Sequence, residues 1–338
     1  MTRNALGLTR RDYEGSMSTL CAGCGHDSIS AAIIEACFEI DLPAHRLAKL
    51  SGIGCSSKTP TYFLGRSHGF NSVHGRMPSI TTGANLANRE LVYMGVSGDG
   101  DTASIGLGQF CHVVRRKLNM IYIVENNGCY GLTKGQFSAT NDKSSPSKKG
   151  EPNIFEGLDL CQMAISLGAG FVARSFSGDK AQLVPLIKAA IAYNGFSFID
   201  VISPCVTFNN HDASTKSFTY VREHEVTVGA LDFVAKRDEI KVDYKQGEAV
   251  VVEMHDGSHL HLRKLDHDYD PRDADAAIQG LRRANAKGEV TTGLLYIDEK
   301  ADDLHKILVT DERPLNTLPM SELCPGSAKL ANINARLR

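Results

Sequence analysis

Gly98-Asp99-Gly100-Asp101 and, further on, Glu125-Asn126-Asn127-Gly128-Cys129-Tyr130-Gly131 each follow an apolar run. The first run is Leu91-Val92-Tyr93-Met94-Gly95-Val96. The second, Met120-Ile121-Tyr122-Ile123-Val124, is rich in β-branched residues. Short runs that are apolar throughout read as strands buried on both faces, and Thr102 to Leu118 between them is long enough for a helix. Strand, helix and strand predict a parallel βαβ crossover. Such crossovers are right-handed, so both strands end on one edge. Ligands of open α/β sheets bind in the crevice beyond that edge. Asp99 and Asn127, 28 residues apart, are therefore expected in one pocket.

A carboxylate and a neutral amide placed this way suit a hard divalent cation. Mg2+ takes six oxygens in an octahedron, a few from protein and the rest from phosphates and water. Asp99 would supply a charged oxygen, Asn127 a neutral one, and the backbone carbonyl of Cys129 a third. Gly98 and Gly100 would let the backbone approach a diphosphate closely. A lone Gly-Asp-Gly occurs in ordinary turns. The second strand end at this spacing makes the pair informative, against the alternative of two unrelated βα turns.

The 338 residues, 42% hydrophobic with no Trp and a net charge of −2, suffice for one large domain, or one plus a small appendage. That charge balance argues against nucleic acid as a partner. No apolar run approaches the ~20 residues of a membrane span. The polar start Met1-Thr2-Arg3-Asn4 does not read as a signal peptide, so a cytoplasmic location is expected.

Nine cysteines favour metal or redox use over a disulfide scaffold in such a chain. Cys37, Cys111 and Cys161 fall in apolar helical patterns and read as small buried hydrophobes. Cys324 near the tail receives no role. Cys21 and Cys24 form a CxxC with glycines at 23 and 25. Cys55 follows the expected strand Leu47 to Leu50, and Cys205 follows Phe198-Ile199-Asp200-Val201-Ile202, so both belong at strand ends. Four thiolates suit a 4Fe-4S cluster or structural zinc, and the CxxC alone suits a redox dithiol. Spacing does not separate these readings.

Gly98-Asp99-Gly100 with Asn127 resembles the diphosphate motif of thiamine diphosphate enzymes. Five further motifs narrow the likeness: Cys21-Ala22-Gly23-Cys24-Gly25-His26, Gly52-Ile53-Gly54-Cys55-Ser56, His74-Gly75-Arg76, Tyr130-Gly131-Leu132-Thr133-Lys134-Gly135-Gln136 and Ser203-Pro204-Cys205-Val206-Thr207-Phe208-Asn209. Over about residues 15 to 235 the chain resembles the β subunit of 2-oxoacid:ferredoxin oxidoreductases, with wording nearest the 2-oxoglutarate type. The resemblance implies an α/β, doubly wound, mostly parallel sheet of the pyrophosphate-domain type over residues 1–240. Residues 241–338 are left as a small α+β appendage and tail.

It also implies thiamine diphosphate and Mg2+, held by Asp99, Asn127 and the Cys129 carbonyl, and a 4Fe-4S cluster on Cys21, Cys24, Cys55 and Cys205. Cofactor contacts fall to Ile53, Gly54, Ser56, His74, Gly98, Asp99, Gly100, Asp101, Asn127, Leu132 and Thr133. His74 and Arg76 lie near the substrate carboxylates, where an arginine fork binds well. The implied activity is oxidative decarboxylation of a 2-oxo acid, 2-oxoglutarate to succinyl-CoA by the wording, with coenzyme A as co-substrate and electrons passed to ferredoxin. The reverse carboxylation uses the same site. Ala22 and Lys134 depart from the family wording, which often has proline or serine at the first and glycine at the second.

The glutamate that activates thiamine has no candidate motif in this chain. In the family it comes from the pyrimidine-binding domain of an α subunit that also carries a γ-type domain, so an (αβ)2 assembly is implied. Two alternatives have other chemistry: a non-oxidative thiamine enzyme with structural zinc, and a non-catalytic iron–sulfur carrier. Elsewhere, Thr140 to Asn153 reads as an exposed loop. Glu248 to Leu265 reads as a hairpin around Asp256-Gly257, with His255, His259 and His261 flanking it rather than binding metal. Ala274 to Ala286 reads as a helix and Thr292 to Ile297 as a strand.

Overall fold

The computed structural model describes residues 2–146, 150–211, 214–229, 231, 249–253, 259–263, 269–324 and 326–337. Its first half runs α1 (Gly25–Glu39), β1 (Leu47–Ser51), α2 (Thr59–Tyr62), β2 (His68–Asn71), α3 (Met77–Ala87), β3 (Val92–Gly98), α4 (Leu107–Arg115) and β4 (Met120–Asn126). A small hairpin of β5 (Cys129–Tyr130) and β6 (Gln136–Phe137) follows, then α5 (Leu160–Ser166), β7 (Phe171–Phe176), α6 (Lys180–Ala192) and β8 (Phe196–Ile202). Next come α7 (Phe218–His224), β9 (Glu225–Thr227), β10 (Ala249–Glu253), β11 (His259–Arg263), α8 (Ala274–Ala286) and β12 (Val290–Ile297). The chain closes on α9 (Leu304–Leu308), α10 (Met320–Leu323) and α11 (Gly326–Arg336).

Eight strands form one sheet in the order β2-β1-β3-β4-β8-β7-β12-β9. The pairs from β2 through to β7 are all parallel, and β12 lies antiparallel on β7. β4 shows why its sequence reads as one apolar run. Ile121 and Ile123 enter the core beneath α1 and α6, whereas Met120, Tyr122 and Val124 enter the opposite core beneath α3, α4 and α5. Alternate residues face opposite sides of a sheet, so a strand covered on both must be apolar at every position. Phe198 sits at zero exposure among Phe110 and Tyr122. Truncating it to alanine would cost about 3–5 kcal/mol.

From β1 the chain moves outward to β2, then returns past β1 to build β3, β4 and β8 on the other side. The crevice of an open α/β sheet lies where the winding reverses, here beyond the ends of β1 and β3. Cys55 and Asp99 follow those two strands.

Two expectations are corrected. The stretch Thr102 to Leu118 is not one helix. A wide π-type turn spans Gly100–Ile105, and α4 begins only at Leu107. Gly106 closes that turn by donating from its backbone N to Asp101 O at 2.8 Å. The backbone of Gly75 packs directly against Gly106, where a side chain on either residue would collide with the other. The second correction concerns the expected boundary near residue 240. β12 joins the main sheet, and Ala277 and Leu281 of α8 sit in the same core as β4. Leu295 of β12 is buried there too, so an open edge beside β7 is covered by apolar residues from late in the chain. β10 and β11 pair antiparallel, as a hairpin requires. The turn at Asp256-Gly257 and His255 lie outside the described residues.

Candidate functional site

Asp99 caps the π-type turn at the end of β3 and is 1% exposed. One carboxylate oxygen accepts the backbone N–H of Asn127 at 3.2 Å. The other accepts the Ser138 hydroxyl and, at 2.8 Å, the Thr140 hydroxyl. Burial raises its pKa above the usual carboxylate value, while these donors pull the other way. A cation bound to the carboxylate would favour the charged form.

Asn127 follows β4 and is buried. Its side-chain oxygen accepts the Cys129 N–H at 3.1 Å, and its carbonyl accepts the Asn209 amide at 2.7 Å. Gly128 turns this loop at a φ of +72°, with Asn209 Nδ2 just 2.6 Å from where a Cβ would stand. Only glycine takes this conformation in so tight a space. The two strand ends thus meet as the βαβ reading requires, through a direct hydrogen bond between them.

A cavity of about 30 Å3 lies between them. Ile53, Gly54, Ser56, Gly98, Asp99, Gly100, Asp101 and Asn127 all line it, together with Cys55 and Cys129. The glycines hold it open. A Cβ on Gly100 would stand 2.6 Å from the Tyr130 ring, and one on Gly98 would stand 3.2 Å from the Ser56 hydroxyl. Asp101 uses its oxygens within the chain, accepting from Gly75 N at 2.7 Å and Ser97 Oγ at 2.9 Å. It thereby ties down the loop of His74 and Arg76, whose side chains are exposed. Leu132 and Thr133 are also exposed, on the turn of the β5–β6 hairpin, where the Thr133 hydroxyl bonds Gln136 at 2.6 Å. The structure therefore gathers eight of the expected contacts in the cavity and leaves His74, Leu132 and Thr133 outside its lining.

The four singled-out cysteines arrive from three segments of the chain. Cys21 is exposed on the loop before α1, Cys24 caps that helix, Cys55 follows β1 and Cys205 follows β8. Cys55 and Cys205 flank Gly131, their sulfurs 3.4 and 3.7 Å from the place its Cβ would take. The Thr207 hydroxyl reaches Cys21 Sγ at 3.9 Å. Burial pushes the Cys24 thiol up to about 12 and raises Cys55 as well. Cys205 is lowered to about 6, first by a hydrogen bond from Cys129 and then by backbone N–H groups of Thr207, Phe208 and Asn209. Among the described residues, no three His, Cys, Asp or Glu side chains are drawn together closely enough to form a metal-holding set.

The model of the thiamine pyrophosphate enzyme C-terminal TPP-binding domain matches residues 52–201, from the turn after β1 through β8. A 2-oxoacid:ferredoxin oxidoreductase β subunit from a Sulfolobus species is 39% identical over 221 residues, covering 65% of this chain and 72% of that one. Its counterpart in Saccharolobus solfataricus is 37% identical over 240 residues, covering 69% and 76%. The chain belongs to the β subunits of the 2-oxoacid:ferredoxin oxidoreductases. In three dimensions, this β subunit is similar to the 2-oxoglutarate:ferredoxin oxidoreductase of Magnetococcus marinus, solved with 2-oxoglutarate, coenzyme A and succinyl-CoA bound. The TM-score is 0.73 at 28% identity, over 89% of either chain.

Within this β subunit, the sequence reading passes over several residues that touch the site. Glu125, at zero exposure near the end of β4, lines the cavity and accepts the Thr59 hydroxyl at 3.0 and 2.9 Å. His26, beside the CxxC, is buried 3.7 Å from Glu125, with Nδ1 on the Ser203 hydroxyl. Burial lowers His26 to about 4, so its ring is neutral at neutral pH, and burial raises Glu125 well above the usual carboxylate value. The loop expected to be exposed from Thr140 to Asn153 is instead anchored inward. Thr140, Asn141, Ser145 and Asn153 are buried, and Asn141 donates to Gly128 O at 2.9 Å. The Thr140 hydroxyl also lies 2.9 Å from the Asn126 side-chain oxygen, and Asn126 reaches Asp200 and, through it, the buried Arg174. One sequence signal was available for Glu125: an acid at the end of an otherwise apolar strand.

No described helix is long and apolar enough to cross a membrane.

Proposed function

We propose that this β subunit forms the thiamine diphosphate and electron-transfer half of an enzyme that oxidatively decarboxylates a 2-oxo acid to its acyl-CoA and reduces ferredoxin. The observation that carries the reading is the joining of Asp99 and Asn127 beside a glycine-walled cavity lined by Cys55 and by Gly131, next to which the Cys205 sulfur stands. The donor types suit these groups, while among the described residues no three of the thiols are drawn together. Asp99 and Asn127 offer one charged and one neutral oxygen, with the Cys129 carbonyl as a third, which suits Mg2+. Gly98 and Gly100 leave backbone open to a diphosphate. Cys21, Cys24, Cys55 and Cys205 are the donor set of a 4Fe-4S cluster, and Gly131 leaves room beside two of the sulfurs.

When bound, thiamine diphosphate supplies the electron sink for loss of carbon dioxide, and the cluster accepts electrons singly. This chain's own residues bind and orient. Ser138 and Thr140 fix the Asp99 carboxylate. Burial of Asp99, Asn127 and Glu125 excludes water from the diphosphate end. The exposed Arg76, held on its loop by the Asp101–Gly75 bond, supplies a fork for a substrate carboxylate, with His74 beside it. Ile53 and Ser56 flank the cofactor on the β1 side. Leu132 and Thr133 face outward, toward a surface completed by the α subunit.

The substrate proposed is 2-oxoglutarate, supported by the ligands of the Magnetococcus marinus relative. Because the chain offers no activating glutamate motif, activity requires an α subunit in an (αβ)2 assembly. Co-purification with that subunit should give a brown complex that reduces ferredoxin with 2-oxoglutarate and coenzyme A, and an EPR signal after dithionite. An iron-free complex, or a β subunit active alone, would overturn the reading.

A further inference from the structure

Two neighbouring core strands each carry one charged residue, Arg174 on β7 and Asp200 on β8, paired in register and 7% and 1% exposed. Arg174 Nε donates to Asp200 Oδ2 at 2.9 Å, and Nη2 donates to Asp159 Oδ1 at 2.8 Å. Apolar residues of like volume are often as stable at such a place, so stability alone does not account for the pair. The second Asp200 oxygen has another partner. It accepts the Asn126 amide Nδ2 at 3.0 Å, at the end of β4 and directly before Asn127. The Asn126 oxygen meets the Thr140 hydroxyl at 2.9 Å, and that hydroxyl stands 2.8 Å from Asp99 Oδ2. A cavity of about 290 Å3 borders Arg174, Asp200, Asn126 and Thr140. Packing leaves the Thr140 side chain unbacked on that side, and hydrogen bonds fix where its hydroxyl points.

Carboxylate oxygens only accept, so Asp200 turns the NH2 of Asn126 toward itself and the amide oxygen toward Thr140. The Thr140 hydroxyl has one proton for two acceptors, Asp99 and Asn126. Ser138 Oγ, 3.1 Å away, is already engaged with Asp99 and with the Thr140 N–H. We propose that Asn126 is a positioning residue of the cation site: oriented by the ion-paired Asp200, it holds the Thr140 hydroxyl and takes its hydrogen bond when a cation engages Asp99. The inference rests on the Mg2+ reading above. Without a cation, the charged carboxylate is the stronger acceptor and keeps the proton. A cation on Asp99 draws on that charge, and the hydroxyl turns to Asn126 by rotation about one bond. No buried donor is left unpaired in either state, and an unpaired donor would count against cation binding.

The test is a Mg2+ titration of the αβ complex in saturating thiamine diphosphate, read by calorimetry. Asn126→Leu and Asp200→Asn are each compared in two backgrounds, wild-type and Thr140→Val. Asn126→Leu removes the acceptor. Asp200→Asn keeps the shape, but the new amide must turn its oxygen to Arg174 and its NH2 to Asn126. The Asn126 amide then reverses and offers Thr140 no oxygen. Each variant should weaken Mg2+ binding about 10-fold with Thr140 present. Neither should change it in the Thr140→Val background, where no hydroxyl is left to place. A side chain that only held the fold together would cost the same in both backgrounds. Equal losses in both backgrounds, or wild-type affinity in either variant, would overturn the proposal. Where Asn126→Leu does not fold, Asp200→Asn decides alone by the same comparison. A wild-type complex whose thiamine diphosphate binding needs no Mg2+ would instead bring down the Mg2+ reading, and this inference with it.

Discussion

Asp99 is buried and its carboxylate takes three hydrogen bonds from its own chain, whereas Cys21, at the other end of the site, is exposed and its sulfur meets the Thr207 hydroxyl at 3.9 Å. Asn127, Gly128, Ser138, Thr140, Asn141 and Asn209 form one bonded network around the first. The loop before α1 is tied instead by backbone bonds at Gly15 and Ser16 and by the Tyr62 hydroxyl on Thr19. The diphosphate end is organised by folding. The four cysteines stand on three separate segments, and among the described residues no three of them are drawn together. Preorganisation suits a site that must hold charged oxygens in a fixed octahedron, while thiolates gain their binding energy from the metal itself.

The two ends should therefore fail differently. Asp99→Ala should weaken Mg2+-dependent thiamine diphosphate binding by more than about 100-fold, beyond the usual effect of a supporting residue. Calorimetry of the αβ complex reads this, and unchanged affinity would remove Asp99 from the site. Cys205→Ala should lose the iron while thiamine diphosphate still binds. Joint loss of both would show that the ends are one cooperative unit.

Thr140→Val removes a bond to Asp99 without touching the ligand, and about a 10- to 100-fold loss of metal affinity is expected. A smaller effect is expected for His26→Gln. His26 is lowered to about 4 in the fold, against 6.5 ordinarily. The unfolded chain thus takes up a proton between pH 6.5 and 4 that the folded chain refuses, and stability falls as pH drops through that window. The wild type should lose on the order of 2 kcal/mol relative to His26→Gln across it, by chemical denaturation at several pH values. Parallel curves would show that His26 is not buried neutral. Smallest of all, Tyr62→Phe should cost about 1 kcal/mol, the worth of a typical hydrogen bond. It should also speed proteolysis of the Cys21 loop, with the diphosphate end unaffected.

Much of this was legible in the chain. The apolar runs before Asp99 and Glu125 could only be strands covered on both faces, and β3 and β4 lie where those runs stand. The parallel crossover then brings Asp99 and Asn127 together without any knowledge of the rest. The support for Asp99 was not legible. Ser138 and Thr140 lie 39 and 41 residues away in a polar segment whose composition reads as surface loop. Hydroxyls and amides are common on surfaces, so their pattern says nothing about which of them turn inward. The break at Gly106 escaped as well, because it depends on Gly75 arriving from another loop.

What the sequence determined by itself is the α/β class, the two strand-end turns and the set of thiols, since each follows from local periodicity and residue chemistry. Only the tertiary structure decided that β12, near the end of the chain, completes the sheet beside β7. It also decided that Glu125 and His26 share one buried corner. Those are meetings between residues distant in the chain. They are set by how helices pack on both faces of the sheet, and no local signal encodes which side chain will lie opposite which.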